Sequence, residues 1–150
     1  MMRCHICQHV YNFLMACRSK SIDLASLFAA LADPTRLRLL NLMAGREVCV
    51  CYFVEILGQG QPKISRHLAY LRKAGIVAAR REGKWMHYSI CTPAEAAAAS
   101  ILAAVLASLG RDQQMQADLA KLDRARTAPR NLVVPPGAPR PAAIGLRAES

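Results

Sequence analysis

The chain has 150 residues, of which 53% are hydrophobic, and its 20 Lys and Arg residues against 10 Asp and Glu residues give a formal net charge of +10. This length allows one folded domain with tails, and the hydrophobic content excludes a chain that is disordered throughout. No apolar run reaches the ~18 residues that a membrane span needs, and no secretory signal is evident. We therefore expect a cytoplasmic protein without a membrane partner, whose cysteines are reduced.

The first half of the chain predicts four helices, over residues 21–32, 34–44, 48–57 and 61–74. Apolar side chains recur in these segments at helical spacing. Asp33-Pro34 supplies an N-cap followed by a first-turn proline for the second helix, and Gly58 and Gly75 end the third and fourth. The fourth helix keeps one apolar side and leaves the other polar and basic.

Two short strands and a fifth helix follow. Residues 76–79 and 85–90 are predicted strands, joined by a basic hairpin tip at Arg80–Lys84 with a glycine at the turn. Thr92-Pro93-Ala94-Glu95 has the pattern of a capping box, which predicts a helix from there to about residue 109. This order of elements predicts a mainly α fold with a small β-hairpin wing, a winged helix-turn-helix.

The predicted domain boundaries follow from composition. An N-terminal extension covers residues 1–20, and part of it is an annotation artefact if translation starts at Met15 and not at Met1. The winged helix-turn-helix, which we expect to mediate both DNA binding and dimerisation, covers residues 21–110. The tail over residues 111–150 turns to Pro, Ala, Gly and Arg, which predicts disorder beyond about residue 127.

Basic residues concentrate between residues 61 and 90, where seven basic residues against one acidic residue give a local excess of +6. Such a surface gains free energy by displacing the counterions of a polyanion. Short polar and basic side chains on the outside of a recognition helix reach base edges, and a basic wing contacts phosphates. The predicted DNA contacts are Gln61, Lys63, Ser65, Arg66 and His67 on the fourth helix, and Arg80, Arg81 and Lys84 on the hairpin. A structural hydrogen-bonding role for His67 and a hairpin that is merely soluble stay open.

Two of the six cysteines stand close together in Glu47-Val48-Cys49-Val50-Cys51, at the predicted start of the third helix. The helix dipole favours thiolates at this position. Residues i and i+2 of a regular helix point to different sides, so one ion can join both sulfurs only where the first turn is distorted or unformed. We therefore expect ligand binding to unwind or re-angle this turn and to shift the fourth helix. A pair of buried structural cysteines is the alternative.

The motifs together resemble the arsenic-responsive branch of the ArsR/SmtB repressor family. The similar stretches are LFAALADPTRLRLLNLM (27–43), EVCVC (47–51), QPKISRHLAYLRKAGIV (61–77) and REGKWMHYSI (81–90), within a region of roughly residues 21–109. The resemblance implies a homodimer formed by helices near 21–32 and 93–109. It also implies a repressor that binds palindromic double-stranded operator DNA and is released when As(III) or Sb(III) binds Cys49 and Cys51.

The chain departs from that family pattern at one position. The best-known members of the branch place a further cysteine where this chain has Val54. Candidates for a third sulfur are Cys17, Cys91 or an exogenous thiol.

Other inducers and another class of regulator stay open. A four-sulfur site of Cys4, Cys7, Cys49 and Cys51 resembles that of the cadmium- and lead-sensing members, so Cd(II), Pb(II) or Zn(II) is the alternative inducer. A thiol-redox regulator is the alternative of another class. An enzyme is not expected, because the sequence offers no grouping of nucleophile, base and acid.

Overall fold

The computed structural model describes residues 21–127 and 142–143, so Cys4, Cys7, Cys17 and the rest of the N-terminal extension lie outside the described residues. Its elements are α1 (Leu24–Leu31), α2 (Pro34–Met43), β1 (Arg46–Cys49), α3 (Val50–Leu57), α4 (Gln61–Lys73), β2 (Val77–Glu82), β3 (Trp85–Ile90), α5 (Ala96–Leu109), α6 (Gln113–Thr127) and β4 (Ala142–Ala143). A mainly helical chain with a small antiparallel hairpin confirms the predicted fold class.

Aspartate side chains begin the first two helices. The carboxylate of Asp23 accepts a hydrogen bond from the backbone N–H of Ser26 at 2.9 Å, and that of Asp33 accepts one from Arg36 at 2.9 Å. Each bond satisfies one of the N–H groups that a helix start leaves without a partner. The cap and first-turn proline predicted at Asp33-Pro34 are confirmed, whereas α1 begins at Leu24, later than predicted.

The apolar sides of the first four helices meet in one core. Its fully buried side chains include Leu27 of α1, Leu39 and Leu40 of α2, Phe53 of α3, and Ile64, Leu68 and Leu71 of α4. Full burial of a side chain of this size stabilises the fold by roughly 1.5–3 kcal/mol. The three residues from α4 lie on one side of that helix, so its remaining surface is left to solvent.

Strand β1 occupies residues where the sequence predicted the beginning of the third helix. Residues Arg46–Cys49 are extended and pair antiparallel with β3, with Val48 opposite Tyr88 and Cys49 opposite His87. The prediction of helix from Val48 is therefore wrong at its first two residues, and α3 begins at Val50. The pairing with β3 satisfies backbone groups that would otherwise be buried without partners, because Val48 and Cys49 are both 0% exposed.

The sheet has the strand order β2-β3-β1-β4. Strand β4 pairs antiparallel with the outer side of β1, so β1 has a neighbour on each side. The predicted disorder beyond about residue 127 concerns residues that lie outside the described ones, except for Ala142–Ala143 in β4.

The hairpin strands are longer than the sequence predicted. Strand β2 continues to Glu82, which lies opposite Trp85, so Arg80 and Arg81 belong to the strand. The prediction that they form the hairpin tip is therefore wrong. A two-residue turn at Gly83-Lys84 replaces the longer tip, and Gly83 takes a φ of +58° that glycine adopts at no steric cost.

Helix α5 begins after Glu95, whose side chain makes no capping hydrogen bond, so the predicted capping box does not form. Only Ala98 and Leu102 of this apolar helix are buried, which leaves most of its apolar surface uncovered in the single chain. Within residues 21–127, no helix is long and apolar enough to cross a bilayer.

Helix α6 was not anticipated from the sequence, because its polar composition hides a narrow buried side. Leu122 is fully buried there, and α6 packs against α2 and α3. Asp118 is also fully buried and accepts hydrogen bonds from the Arg38 guanidinium at 2.6 and 2.9 Å. The side-chain amide of Asn41 donates to the backbone carbonyl of Met115 at 3.0 Å. Two polar contacts therefore fix α6 on α2.

Candidate thiol site and nucleic-acid interface

The two cysteines of the Glu-Val-Cys-Val-Cys stretch lie side by side. Cys49 ends β1 and is the N-cap of α3, with extended backbone angles (φ −72°, ψ 145°), and Cys51 lies in the first turn. The Cys51 thiol donates a hydrogen bond to the Cys49 sulfur, with an Sγ–Sγ distance of 3.3 Å. Of the two arrangements expected to bring the sulfurs together, a distorted first turn or an unformed one, the structure has the second, because Cys49 is extended and α3 begins only at Val50.

The surroundings of the pair make its two sulfurs unequal. The hydrogen bond from Cys51, together with backbone N–H groups of Cys51, Val50 and Met86, lowers the pKa of Cys49 to about 7, against the opposing effect of burial. The same hydrogen bond, burial and the nearby Cys49 charge raise the pKa of Cys51 far above its ordinary value. At pH 7 about half of the molecules therefore carry a thiolate on Cys49, while Cys51 keeps its proton.

A third sulfur does not join this pair within the part of the chain that the structure describes. Val54, which stands where the family pattern has a further cysteine, is partly buried against the core. Cys91, another candidate for the third sulfur, is buried just after the end of β3. No group of three or more Cys, His, Asp or Glu that could hold a metal ion occurs among residues 21–127 and 142–143.

Helix α4 presents its polar side to solvent, as a DNA-reading helix requires. Gln61, Lys63 and Arg66 are exposed, and Ser65 and His67 are partly exposed. The helix starts at Gly60, which has no side chain to cap it, and Pro62 lies in its first turn. Pro62 has no N–H, and the Lys63 N–H bonds the Gly60 carbonyl at 3.1 Å, so this helix start offers few donors to a phosphate.

His67 also contacts a side chain of the protein itself. Its Nδ1 lies 3.6 Å from the Asp33 carboxylate, and 18% of its side chain is exposed. The structural role that stayed open for His67 in the sequence is compatible with this contact.

Arg36 is a positioning residue that the sequence did not single out. Its guanidinium donates to the backbone carbonyls of Ala30 at 2.7 Å and Ala29 at 2.8 Å, at the end of α1. It also lies 4.3 Å from the ring centroid of Tyr70 on α4. Arg36 therefore connects α1 to α4 from within α2, and only its place in the family-like stretch 27–43 could have indicated a role.

The basic residues of the hairpin differ in their surroundings. Lys84 at the turn is exposed and lies 5.0 Å from the Trp85 ring centroid, while exposed Arg81 donates to the Gly83 carbonyl at 3.0 Å. Arg80 instead donates to Glu47 of β1 at 2.6 Å and to Glu82 at 3.2 Å. The sequence assigned no role to Glu47, although it stands in the cysteine motif.

A helix-turn-helix with an exposed basic helix and a β-hairpin wing defines a winged-helix DNA-binding regulator. The family model described as "Bacterial regulatory protein, arsR family" matches residues 33–79. An uncharacterized HTH-type transcriptional regulator of Methanocaldococcus jannaschii is 51% identical over 67 residues, which are 44% of this chain and 75% of that protein. The chain belongs to the ArsR family of regulatory proteins.

Two further relatives carry names that describe a role. The arsenical resistance operon repressor of Escherichia coli is 48% identical over 77 residues, which are 51% of this chain and 66% of that repressor. The probable mercury resistance operon repressor of Streptomyces lividans is 46% identical over 69 residues, 46% of this chain and 55% of that repressor. The chain thus spans less than two thirds of the length of either repressor. The regulatory names agree with the expectation that the chain is not an enzyme.

Proposed function

We propose that this chain is a homodimeric transcriptional repressor that binds operator DNA and is released when As(III) or Sb(III) bonds to Cys49 and Cys51. The observation that carries the proposal is the sulfur pair, 3.3 Å apart, at the start of α3. Helix α3 packs directly on α4, so a change at the pair reaches the DNA-reading helix through one packed contact.

The DNA contacts come from α4 and the wing. Gln61, Lys63, Ser65, Arg66 and His67 enter the major groove from the polar side of α4, where amide and guanidinium groups match base edges. Arg81 and Lys84 lie on the exposed part of the hairpin and neutralise neighbouring phosphates. Each such phosphate contact makes binding more sensitive to salt.

The dimer is proposed from surface that the single chain leaves uncovered. Leu24 and Phe28 of α1 are 45% and 54% exposed, and α5 buries only Ala98 and Leu102. Apolar side chains at such exposure mark an interaction surface when they lie together. A second copy that pairs through α1 and α5 covers both helices and gives the two-fold symmetry that a palindromic operator requires.

Release follows from the chemistry of the sulfurs. A trivalent arsenic or antimony centre would supply covalent bonds to both sulfurs. The Cys51 thiol displaces one hydroxyl group of As(OH)₃, which leaves with the thiol proton as water, and the Cys49 thiolate displaces a second, which leaves as hydroxide and takes its proton from solvent. The S–H of Cys51 and the negative charge on Cys49 are then both gone, so the hydrogen bond that joins the residues disappears. The backbone N–H groups at the start of α3 lose the anionic sulfur that they surround. We infer that α3 then shifts against α4.

The test is a titration of labelled operator DNA, bound by the protein, with arsenite, antimonite, cadmium, lead and zinc. Arsenite should weaken wild-type binding by about 5- to 150-fold, the range of ordinary allosteric coupling. Cys49→Ser and Cys51→Ser should bind DNA and resist release. Val50→Ala, which keeps both sulfurs, is the matched control and should be released like wild type. Normal release of the Cys49→Ser/Cys51→Ser double variant by arsenite would refute the assignment.

The identity of the ion is part of the proposal. The name of the Escherichia coli relative favours arsenic, and that of the Streptomyces lividans relative shows that a similar chain is named for mercury. Soft thiolates bind all of these ions, so the pair alone does not distinguish among them. Release by Cd(II), Pb(II) or Zn(II), lost on replacing Cys4 and Cys7, would favour the four-sulfur alternative, whose N-terminal members lie outside the described residues.

A redox regulator is a second candidate, favoured by the same short approach of the sulfurs. A disulfide has an S–S bond of about 2.0 Å, so the sulfurs, 3.3 Å apart, must approach further. Two thiols would lose two protons and two electrons to a peroxide, which becomes water. Release by peroxide without metal, reversed by a dithiol reductant, would establish this function instead.

A further inference from the structure

We propose that Arg80 is a positioning residue that couples the thiol site to the wing through Glu47, and that it does not bind a phosphate. The inference rests on the proposed function and revises the DNA contact predicted for Arg80 from the sequence. It adds a path from the sulfurs to DNA that runs through the sheet, beside the path through α3 and α4.

The contacts of Arg80 occupy its guanidinium within the protein. Nη2 donates to Glu47 Oε1 at 2.6 Å and Nε donates to Glu47 Oε2 at 3.3 Å, so both carboxylate oxygens are engaged. Nη1 and Nη2 also lie 3.2 Å from Glu82 Oε2. The Arg80 and Glu47 side chains are only 23% and 15% exposed. Bidentate hydrogen bonds between an arginine and a carboxylate are among the stronger interactions of charged side chains.

The strand register places this ion pair in one row with the thiol site. Cys49 lies opposite His87, and His87 lies opposite Arg80, across three neighbouring strands. Directly opposed residues share one face of a sheet, and so do residues two apart on a strand. Glu47 is therefore on the same face as Cys49, and His87 Nδ1 lies 3.6 Å from Glu47 Oε1 on that face.

A second contact connects the sulfur to the wing directly. The backbone N–H of Met86, on β3, is one of the groups that lower the pKa of Cys49. Met86 lies opposite Arg81 in the hairpin, close to the turn at Gly83-Lys84. When Cys49 bonds to a ligand and loses its charge, β3 loses this attraction, and a shift of β1 moves Glu47 and, with it, Arg80 of β2.

A phosphate contact by Arg80 is disfavoured by the same geometry. To reach DNA, the guanidinium would have to leave Glu47, whose carboxylate is only 15% exposed and would remain without its main cationic partner. A charge left unpaired at such burial is costly. Arg81, one residue further along β2, is exposed, and its guanidinium donates to the Gly83 carbonyl at 3.0 Å.

The test compares Arg80→Gln with Arg81→Gln as the matched control, because the two variants remove the same charge from neighbouring positions. Operator affinity is measured against salt concentration for the free and arsenite-loaded protein. Arg81→Gln should reduce the salt slope by about 0.9, the value for one lost phosphate contact, and leave the arsenite effect unchanged. Arg80→Gln should keep the slope and reduce the arsenite effect by about 2- to 30-fold.

Glu47→Gln provides a variant that keeps every basic residue. It should reduce the arsenite effect as Arg80→Gln does, and the double variant should be no worse than either single one, because residues in one ion pair are not additive. A reduced salt slope with an unchanged arsenite effect in Arg80→Gln would overturn the proposal, and so would additive effects of the two substitutions.

Failure of the proposed function is recognised separately. If arsenite does not release wild type, the salt slope of the free protein and amide hydrogen exchange of residues 77–90 decide the role of Arg80. Faster exchange in Arg80→Gln than in Arg81→Gln supports the coupling of β1 to the wing. Equal exchange, or a reduced slope, contradicts it.

Discussion

The hydrogen bond between the two thiols leads to a quantitative prediction about Cys51→Ala. This substitution removes the S–H donor that is the largest cause of the low pKa of Cys49. Burial then opposes ionisation, and only backbone N–H groups counteract it, so the pKa of Cys49 should rise from about 7 towards its ordinary value of 9.0. Cys51→Ser keeps a donor at the same place and should leave the pKa low.

The consequence for reactivity follows from the two pKa values. At pH 7 a thiol with a pKa of about 7 is about half ionised, whereas one with a pKa of 9.0 is about 1% ionised, a ratio of about 50. A thiolate becomes a weaker nucleophile as its pKa falls, by about 10-fold between a pKa of 9.0 and one of about 7. Wild-type Cys49 should therefore react about 5-fold faster at pH 7 than the same residue in Cys51→Ala.

The measurement is the ultraviolet absorption of the thiolate as a function of pH, for wild type, Cys51→Ala and Cys51→Ser. Each curve is taken as the difference from the same protein with Cys49→Ser, so that other cysteines and tyrosines cancel. A midpoint that remains near 7 in Cys51→Ala would refute the reasoning, since the backbone N–H groups would then suffice. A midpoint near 9 in Cys51→Ser would show that the donor must be sulfur.

Three further predictions concern stability and assembly. Because the folded pKa of Cys49 is lowered to about 7 from 9.0, the unfolded state binds more protons between these values, so urea denaturation should find that the stability of wild type relative to Cys49→Ser rises from pH 7 to pH 9 and is lost as the pH falls through 7. Asp118→Ala should cost about 3 kcal/mol in urea denaturation, because it leaves Arg38 without the fully buried carboxylate, whereas the exposed pair partner Asp123→Ala should cost at most about 1 kcal/mol; equal losses would contradict the role of burial. Phe28→Ser should shift the protein from dimer to monomer in sedimentation and weaken operator binding, while Tyr70→Ser, at a residue on α4 that is 44% exposed against 54% for Phe28, should leave the association state unchanged; a dimeric Phe28→Ser would remove α1 from the interface.

The elements that the sequence predicted well are those fixed by neighbours in the chain. The N-cap at Asp33, the proline after it and the glycines at positions 58 and 75 are local signals; α2 begins at the first two, and α3 and α4 end close to the glycines. Strand β1 depends on its pairing with β3, which lies about 40 residues away in the chain and has no local signature. Helix α6 depends on contacts with α2 that a polar sequence does not reveal.

The candidate site shows the same division. The spacing of Cys49 and Cys51 pointed to a thiol pair, but a helical interpretation of Val48 placed the sulfurs on different sides. One extended residue reverses that geometry, because the backbone angle of Cys49 decides where its sulfur points. The role of Arg80 could not be predicted either, since its partner Glu47 lies on a strand that the sequence did not predict.

The glycine before α4 has a consequence for the evolution and engineering of this protein. Gly60 has ordinary backbone angles for an N-cap (φ −59°, ψ 144°), and an added Cβ would meet only the Pro62 ring, at 3.8 Å. Serine or aspartate would therefore fit and would strengthen the isolated protein by some tenths of a kcal/mol, since these residues cap better than glycine. Their oxygen atoms would, however, lie at the helix start and oppose a phosphate there, where donors are already few because Pro62 has no N–H and the Lys63 N–H bonds the Gly60 carbonyl at 3.1 Å. Selection for thermal stability alone should therefore favour serine or aspartate in place of Gly60, and should yield more stable proteins that bind operator DNA more weakly. Such a trade-off is common at functional sites.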